Sequence, residues 1–272
     1  MSNSFKKIYF HVGISKTGST FLQNRVFPLL SEIDYIPTKK YKTVFLEIEK
    51  LKNNNILISR EFDRQFEREV GHFSSRNKNV VPIIVLRRHD EYFASQYRRF
   101  VKNGFRGTVK DFLNLENDVG FFKKINFNFQ HQINVLNNSF EHKPVVLFYH
   151  DLKADPIGFI KKICNCMGAE INIGAINFKS KHRSYNEKQL KTIQGFSKVF
   201  DLRKRRVFKN AFLHLLWRFY HAIFRYGILY LSFFMPGFLY SKKPLIDPQY
   251  LEKIKDYFKE DWDSCLAYKN IE

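Results

Sequence analysis

The chain has 272 residues, 44% hydrophobic and 17% aromatic, which is too much apolar mass for a disordered tail and enough for one large domain or a domain with an appendage. Lys and Arg (46) outnumber Asp and Glu (26), and the formal charge of +20 implies acidic partners: a phosphate-bearing cofactor, an anionic polysaccharide, nucleic acid or an anionic membrane. Twelve Gly and eight Pro exclude collagen-like or low-complexity architecture, and three Cys exclude a disulfide framework; Cys164-Asn-Cys166 lacks a partner pair for a zinc site, which suits a reducing compartment.

The opening Met1-Ser-Asn-Ser-Phe-Lys-Lys turns apolar at Ile8 with no secretory apolar region, so neither a signal peptide nor a Golgi-type anchor is expected. Ile8 to Val12 reads as a buried strand ending at Gly13. Thr20 to Leu30 has helical apolar spacing, with Pro28 near its end, and Gly13 to Thr20 forms a small-residue turn between the two. Ile56 to Ser59 is a second short strand. Val80 to Leu86 is a third, apolar enough for a parallel strand covered on both faces, with Pro82 placed at its entry. A helix follows from Asp90, as N-cap, to Lys102. Val145 to Tyr149 is a fourth strand, and Asp155-Pro156 starts a helix through Met167. Strands alternating with helices predict an α/β fold with a central, mainly parallel sheet over residues 1–175.

The character changes over 176–272, a basic, aromatic-rich and helical part expected to pack on the core. Residues 176–210 hold eleven Lys/Arg against two acids, Glu187 and Asp201. Residues 211–240 are rich in Phe, Leu, Tyr and Trp. Their longest charge-free run, Tyr226 to Ser241, is too short to span a bilayer and is broken by Pro236-Gly237. Such a stretch suits either an anionic membrane surface or packing against the core or a second copy. A last helix is predicted from Pro248 to Ala267.

Gly13-Ile-Ser-Lys-Thr-Gly-Ser-Thr20 lies between a strand and a helix, the arrangement that cradles phosphate on a helix N-terminus. Backbone amides around Gly18 to Phe21, hydroxyls of Ser15, Thr17, Ser19 and Thr20, and the charge of Lys16 supply the donors. In a Walker A loop the Lys follows the second Gly, whereas Lys16 precedes Gly18.

That permuted loop resembles the 5′-phosphosulfate loop of sulfotransferases that use 3′-phosphoadenosine 5′-phosphosulfate (PAPS). Phe10 to Gln23, followed by Leu86-Arg-Arg-His-Asp-Glu-Tyr-Phe-Ala-Ser-Gln-Tyr97, looks especially like bacterial glycan-type members, and the resemblance covers roughly residues 7–170. It implies a P-loop-like three-layer fold, PAPS as donor with no metal, and Arg87 with Ser95 on the 3′-phosphate. A planar guanidinium forks onto phosphate oxygens and a hydroxyl adds a donor. Arg88 competes with Arg87, which is preferred on its eight-residue spacing to Ser95. Many relatives have Pro where His89 stands, and some have a second Arg where Tyr92 stands.

Lys16 suits charge stabilisation on the leaving group. Glu61, just after the second strand, reaches the crevice at the strand C-termini and is the first candidate for general base; related glycan enzymes carry a Glu in a comparable place. His11 is second and His89 third. Lys181-His-Arg183-Ser184 reads first as a solvated loop, and only loosely matches the late basic loop with which sulfotransferases close over the donor. The resulting expectation is a cytoplasmic sulfotransferase acting on a hydroxyl of a carbohydrate or lipid-linked glycan, peripheral on the inner membrane face, with no nucleic-acid partner. A P-loop kinase and a non-catalytic basic protein that binds nucleic acid or membrane are the rival readings.

Overall fold

The computed structural model describes residues 6–51, 53, 55–179, 185–203 and 208–270. The chain forms two compact units: residues 1–92, 124–179 and 258–272 make the first, and 93–123 with 180–257 make the second. The segments 93–123 and 258–272 thus each belong to a unit whose larger part lies elsewhere in the sequence.

The first unit is the α/β body. Its five-stranded sheet has the order β3 (Asp34–Ile36), β4 (Asn55–Phe62), β1 (Lys7–Ile14), β5 (Val80–Leu86), β6 (Val145–Phe148), and every neighbouring pair is parallel. Two-residue strands β2 (Leu30–Ser31) and β7 (Glu170–Ile171) form a separate antiparallel pair. β1 is central and buried from Ile8 onward, as its near-continuous apolar sequence requires when both faces are covered. On one face Tyr9, Leu57, Ile83, Val85 and Leu147 join a core with Leu22, Val26 and Phe27 from the helical run after β1 and with α8 (Pro156–Met167). On the other face Phe10 meets Phe73 of α3 (Phe66–Ser74) at 4.5 Å between ring centroids, and Phe140 after α6 (Phe129–Ser139) at 6.5 Å. Helices therefore cover both faces of the sheet, in three layers.

Several elements depart from the sequence reading. The predicted Thr20–Leu30 helix is a mixed run: one α turn, α1 (Ser19–Phe21), a π-helical segment Leu22–Val26 and a 3-10 turn Phe27–Leu29 that carries Pro28. Pro28 has no amide for a continuing α ladder, so the run tightens there. β4 extends beyond Ser59 to Phe62, because its register with β1 continues through Gly13↔Glu61 and Ile14↔Phe62. Pro82 sits inside β5, opposite Phe10, and not at its entry. α4 (His89–Lys102) begins at His89, so Asp90 stands inside its first turn and is not its cap. Tyr149 leaves the strand and opens α7 (Tyr149–Ala154). α8 starts as expected: the Asp155 carboxylate accepts from Gly158 N at 2.9 Å, Pro156 occupies the first turn, and Gly168 closes the helix at φ 60°. α2 (Val44–Lys50) was not foreseen.

The second unit holds α5 (Val109–Phe112), α9 (Glu187–Val199), α10 (Ala211–Leu231), α11 (Pro248–Tyr257) and most of α4. Its interior is a ring cluster in which Phe112 lies 4.9 Å from Phe122, 5.2 Å from Phe100 and 5.7 Å from Phe93. The predicted Pro248–Ala267 helix breaks at Phe258 and resumes as α12 (Lys259–Leu266) in the first unit. The cause is local: the Phe258 ring is buried and stacks on His89 at 4.7 Å.

Candidate active site

β1 ends at Ile14 and the helical run starts at Ser19, so a four-residue loop, 15–18, turns the chain between them. Two of the four residues have left-handed backbones, Gly18 at φ 86° and Lys16 at φ 75°. Gly18 is required there twice over: a Cβ would stand 2.5 Å from Leu152 Cδ2, and the conformation itself disfavours an L side chain. Lys16 has no such freedom. Its backbone is held in a costly conformation while its side chain stays exposed.

Thr17 locks the loop. It is fully buried, and its hydroxyl donates to the Ile14 carbonyl at 2.7 Å. Thr17 therefore serves the loop's shape through its side chain and has only its backbone left for an anion. Ser15 and Ser19 are buried, whereas Thr20 is exposed and Phe21 half-buried. Gly18 O takes the first helical bonds, from Phe21 N at 2.9 Å and Leu22 N at 3.2 Å.

The loop opens onto a shared point. Around the position that a Cβ on Gly13 would occupy stand Ser19 Oγ at 3.2 Å, His11 Cε1 at 3.3 Å and Glu61 Cγ at 3.4 Å. Glu61 reaches this point because it is the penultimate residue of β4, in register with Gly13, and not in a connection beyond the strand. His11 reaches it from within β1. Its ring is fully buried, and burial pulls its pKa from 6.5 down to about 4, so it is neutral at pH 7. Its Nδ1 lies 2.7 Å from Ser59 Oγ, which accepts from Gln23 Nε2 at 3.0 Å; its Nε2 has no hydrogen-bond partner among the described residues. Gln23 belongs to the π-helical segment, a wider turn that often marks a functional place.

Arg87 closes the other side. It follows β5, and its Nη1 donates to the Lys16 carbonyl at 3.2 Å. Its Nε pairs with Glu91 at 3.1 Å, and its guanidinium covers the Tyr149 ring at 4.7 Å. Arg88 turns elsewhere and forks onto Asp90 at 2.7 and 2.8 Å. Ser95 is half-buried on α4, in the part of that helix that belongs to the second unit.

Two candidates stand apart. His89 is buried between Phe129 and Phe258, with ring centroids at 4.2 and 4.7 Å, and its Nε2 lies 3.0 Å from Phe127 O and 2.9 Å from Asp261 Oδ2. Both neighbours are acceptors, so Nε2 carries the proton and the ring works as a structural tie. Arg183 lies outside the described residues. The chain leading to it does not: Arg25 Nη1 donates to the carbonyls of Asn177 and Lys179, and Phe178 packs 5.9 Å from Phe21 on the helical run.

No family model and no curated protein matches the chain. Among the solved structures that resemble it are two sulfotransferases. A sulfotransferase from Alicyclobacillus acidocaldarius is 12% identical, with 73% of this chain and 96% of that one covered, at a TM-score of 0.49. The mouse sulfotransferase SULT7A1 complexed with PAP is 14% identical, with 98% and 90% covered, also at 0.49. At those values the assignment of function falls to the chain's own residues.

Sequence reasoning gave no role to Ser59, Gln23, Tyr149 or Glu91. Gln23 stood within the loop motif without a partner to explain it. Tyr149 read as the last residue of a strand. Neither periodicity nor spacing signals a side chain that acts by gripping another.

Proposed function

We propose that the chain is a sulfotransferase that moves a sulfuryl group from PAPS to an acceptor hydroxyl, with a carbohydrate or lipid-linked glycan as the acceptor class. The observation that carries this reading is the 3.2 Å bond from Arg87 to the Lys16 carbonyl, which joins the two sequence motifs at one place. The donor set fits an anion with phosphate at two ends. Lys16, the loop amides, Ser15, Ser19 and Thr20 suit the 5′ end, and Arg87 suits the 3′ end; Ser95 is proposed as its partner on the sequence motif alone. PAPS, when bound, supplies a sulfuryl group on a good leaving group.

The chain's own residues do the rest. Lys16 sets a cation against charge that grows on the departing phosphate, and its strained backbone fixes where that cation starts. Glu61, beside Gly13 and Ser19, takes the proton from the acceptor hydroxyl. His11, neutral and buried, holds the floor of the site through Ser59 and Gln23. Arg87 binds as a fork whose Nε edge Glu91 already orients. Arg183, close in sequence to the segment fastened by Arg25, is proposed as a further donor ligand.

Transfer of label from PAPS to a hydroxyl acceptor tests the reading. Lys16→Ala is expected to abolish transfer with the fold intact, as losing a charge-stabilising group costs about 3–4 kcal/mol. Glu61→Gln is expected to lower turnover by about 10² or more with donor binding nearly unchanged. Retention of more than about a tenth of turnover by Lys16→Ala would remove the loop from the chemistry.

A further inference from the structure

Between Asp201 and Asp247 the chain carries nine Lys/Arg and no acidic side chain. At the centre of that stretch is α10, which at ~1.5 Å per residue is about 32 Å long, followed by a turn over 232–240. A surface helix of a water-soluble body places its apolar stripe inward and its polar stripe outward. α10 does the reverse. The residues at 214, 217, 221, 225, 228 and 232, which share one face at helical spacing, are buried or half-buried: His214, Trp217, His221, Arg225, Ile228 and Ser232. Arg225 anchors that face through Asn103 Oδ1 at 3.1 Å.

The opposite face holds Phe212, Leu216, Phe219, Ile223 and Tyr230, all exposed, with Phe219 at 66%. The turn after the helix adds Phe234 and Phe238, each 85% exposed. Contiguous exposed aromatics on this scale mark an interaction surface. Exposed cations bracket the face: Lys209 before the helix, Lys242 and Lys243 after it, and Arg218 on its flank.

We infer that this face docks in the plane of an anionic phospholipid bilayer. Its Phe, Leu and Ile side chains would enter the acyl boundary while the bracketing Lys and Arg meet phosphate head groups. The absence of any acid between Asp201 and Asp247 selects this occupant over a second copy, which would bring cations against cations. Among the described residues no helix is long and apolar enough to cross a membrane, so the helix lies on the bilayer and does not span it.

Vesicle co-sedimentation with the full chain tests this without reference to sulfuryl transfer. Vesicles of phosphatidylcholine with roughly a third phosphatidylglycerol are expected to bind the protein, pure phosphatidylcholine at least about tenfold less, and high salt to release it. Phe219→Ser with Phe234→Ser is expected to lower vesicle binding about tenfold or more. Its circular dichroism and melting should match wild type, because both side chains are exposed. Equal binding to neutral vesicles, or none to either, overturns the inference. So does a concentration-dependent dimer in sedimentation that the same double variant dissolves, which would give the face to a second copy.

Discussion

Lys16 and His11 are held in two unusual states by their surroundings in the candidate site. A non-glycine residue at φ 75° stands in backbone space that costs about 1 kcal/mol or more, and the contact from Arg87 to the Lys16 carbonyl is one of the interactions that hold it there. His11 is held in a different way, by burial that keeps it uncharged. The unfolded chain protonates it near pH 6.5, whereas the folded chain does so only near pH 4. Between those values only the unfolded state gains the proton, so stability is full above pH 6.5 and falls as pH drops toward 4. The slope from this group is at most about 1.4 kcal/mol per pH unit. Denaturant melts from pH 7 to 5 are expected to show a shallower decline for His11→Asn than for wild type. Identical slopes would mean that His11 gains its proton in both states alike.

At the scale of elements, the loop between β1 and α1 depends on the packing of α7 as much as on its own sequence. Gly18→Ala would drive a methyl to 2.5 Å from Leu152 Cδ2 at a backbone angle that alanine avoids, so it is expected to destabilise the fold by about 1–3 kcal/mol. A shift in denaturation midpoint reads this. Gly195→Ala, inside α9 with nothing within 4 Å of its Cβ position, is the control that should not destabilise. Most strands of the sheet were legible in the sequence because a buried parallel strand is a short unbroken apolar run, and Val80–Leu86 has the predicted limits. β4 was half-legible: Arg60 and Glu61 break the apolar run, although the ladder with β1 continues through them. For that reason Glu61 was expected after the strand, when pairing with Gly13 is what delivers it to the loop. The three-residue β3 was too short to announce itself, and α7 was hidden behind a tyrosine with strand propensity.

The whole molecule has an α/β unit that carries the Gly13–Thr20 loop and a helical unit that carries an exposed apolar face with no acidic residue between Asp201 and Asp247. The division was only partly legible, because the sequence shows a change of composition near residue 176 but not that 93–123 joins the later segment. Pairings across such distances in sequence, such as Tyr250 Oη donating to the Leu113 carbonyl, leave no local pattern to read. The central claim is that the loop and Arg87 together recognise a nucleotide with phosphate at both the 5′ and 3′ positions. Calorimetry with adenosine 3′,5′-bisphosphate and with ATP measures this most directly. Wild type is expected to bind the bisphosphate at one site at least about tenfold more tightly than ATP, the worth of one charge-assisted phosphate contact, and Arg87→Ala to erase most of that preference. ATP binding as tight as or tighter than the bisphosphate, or a preference unchanged in Arg87→Ala, would contradict it.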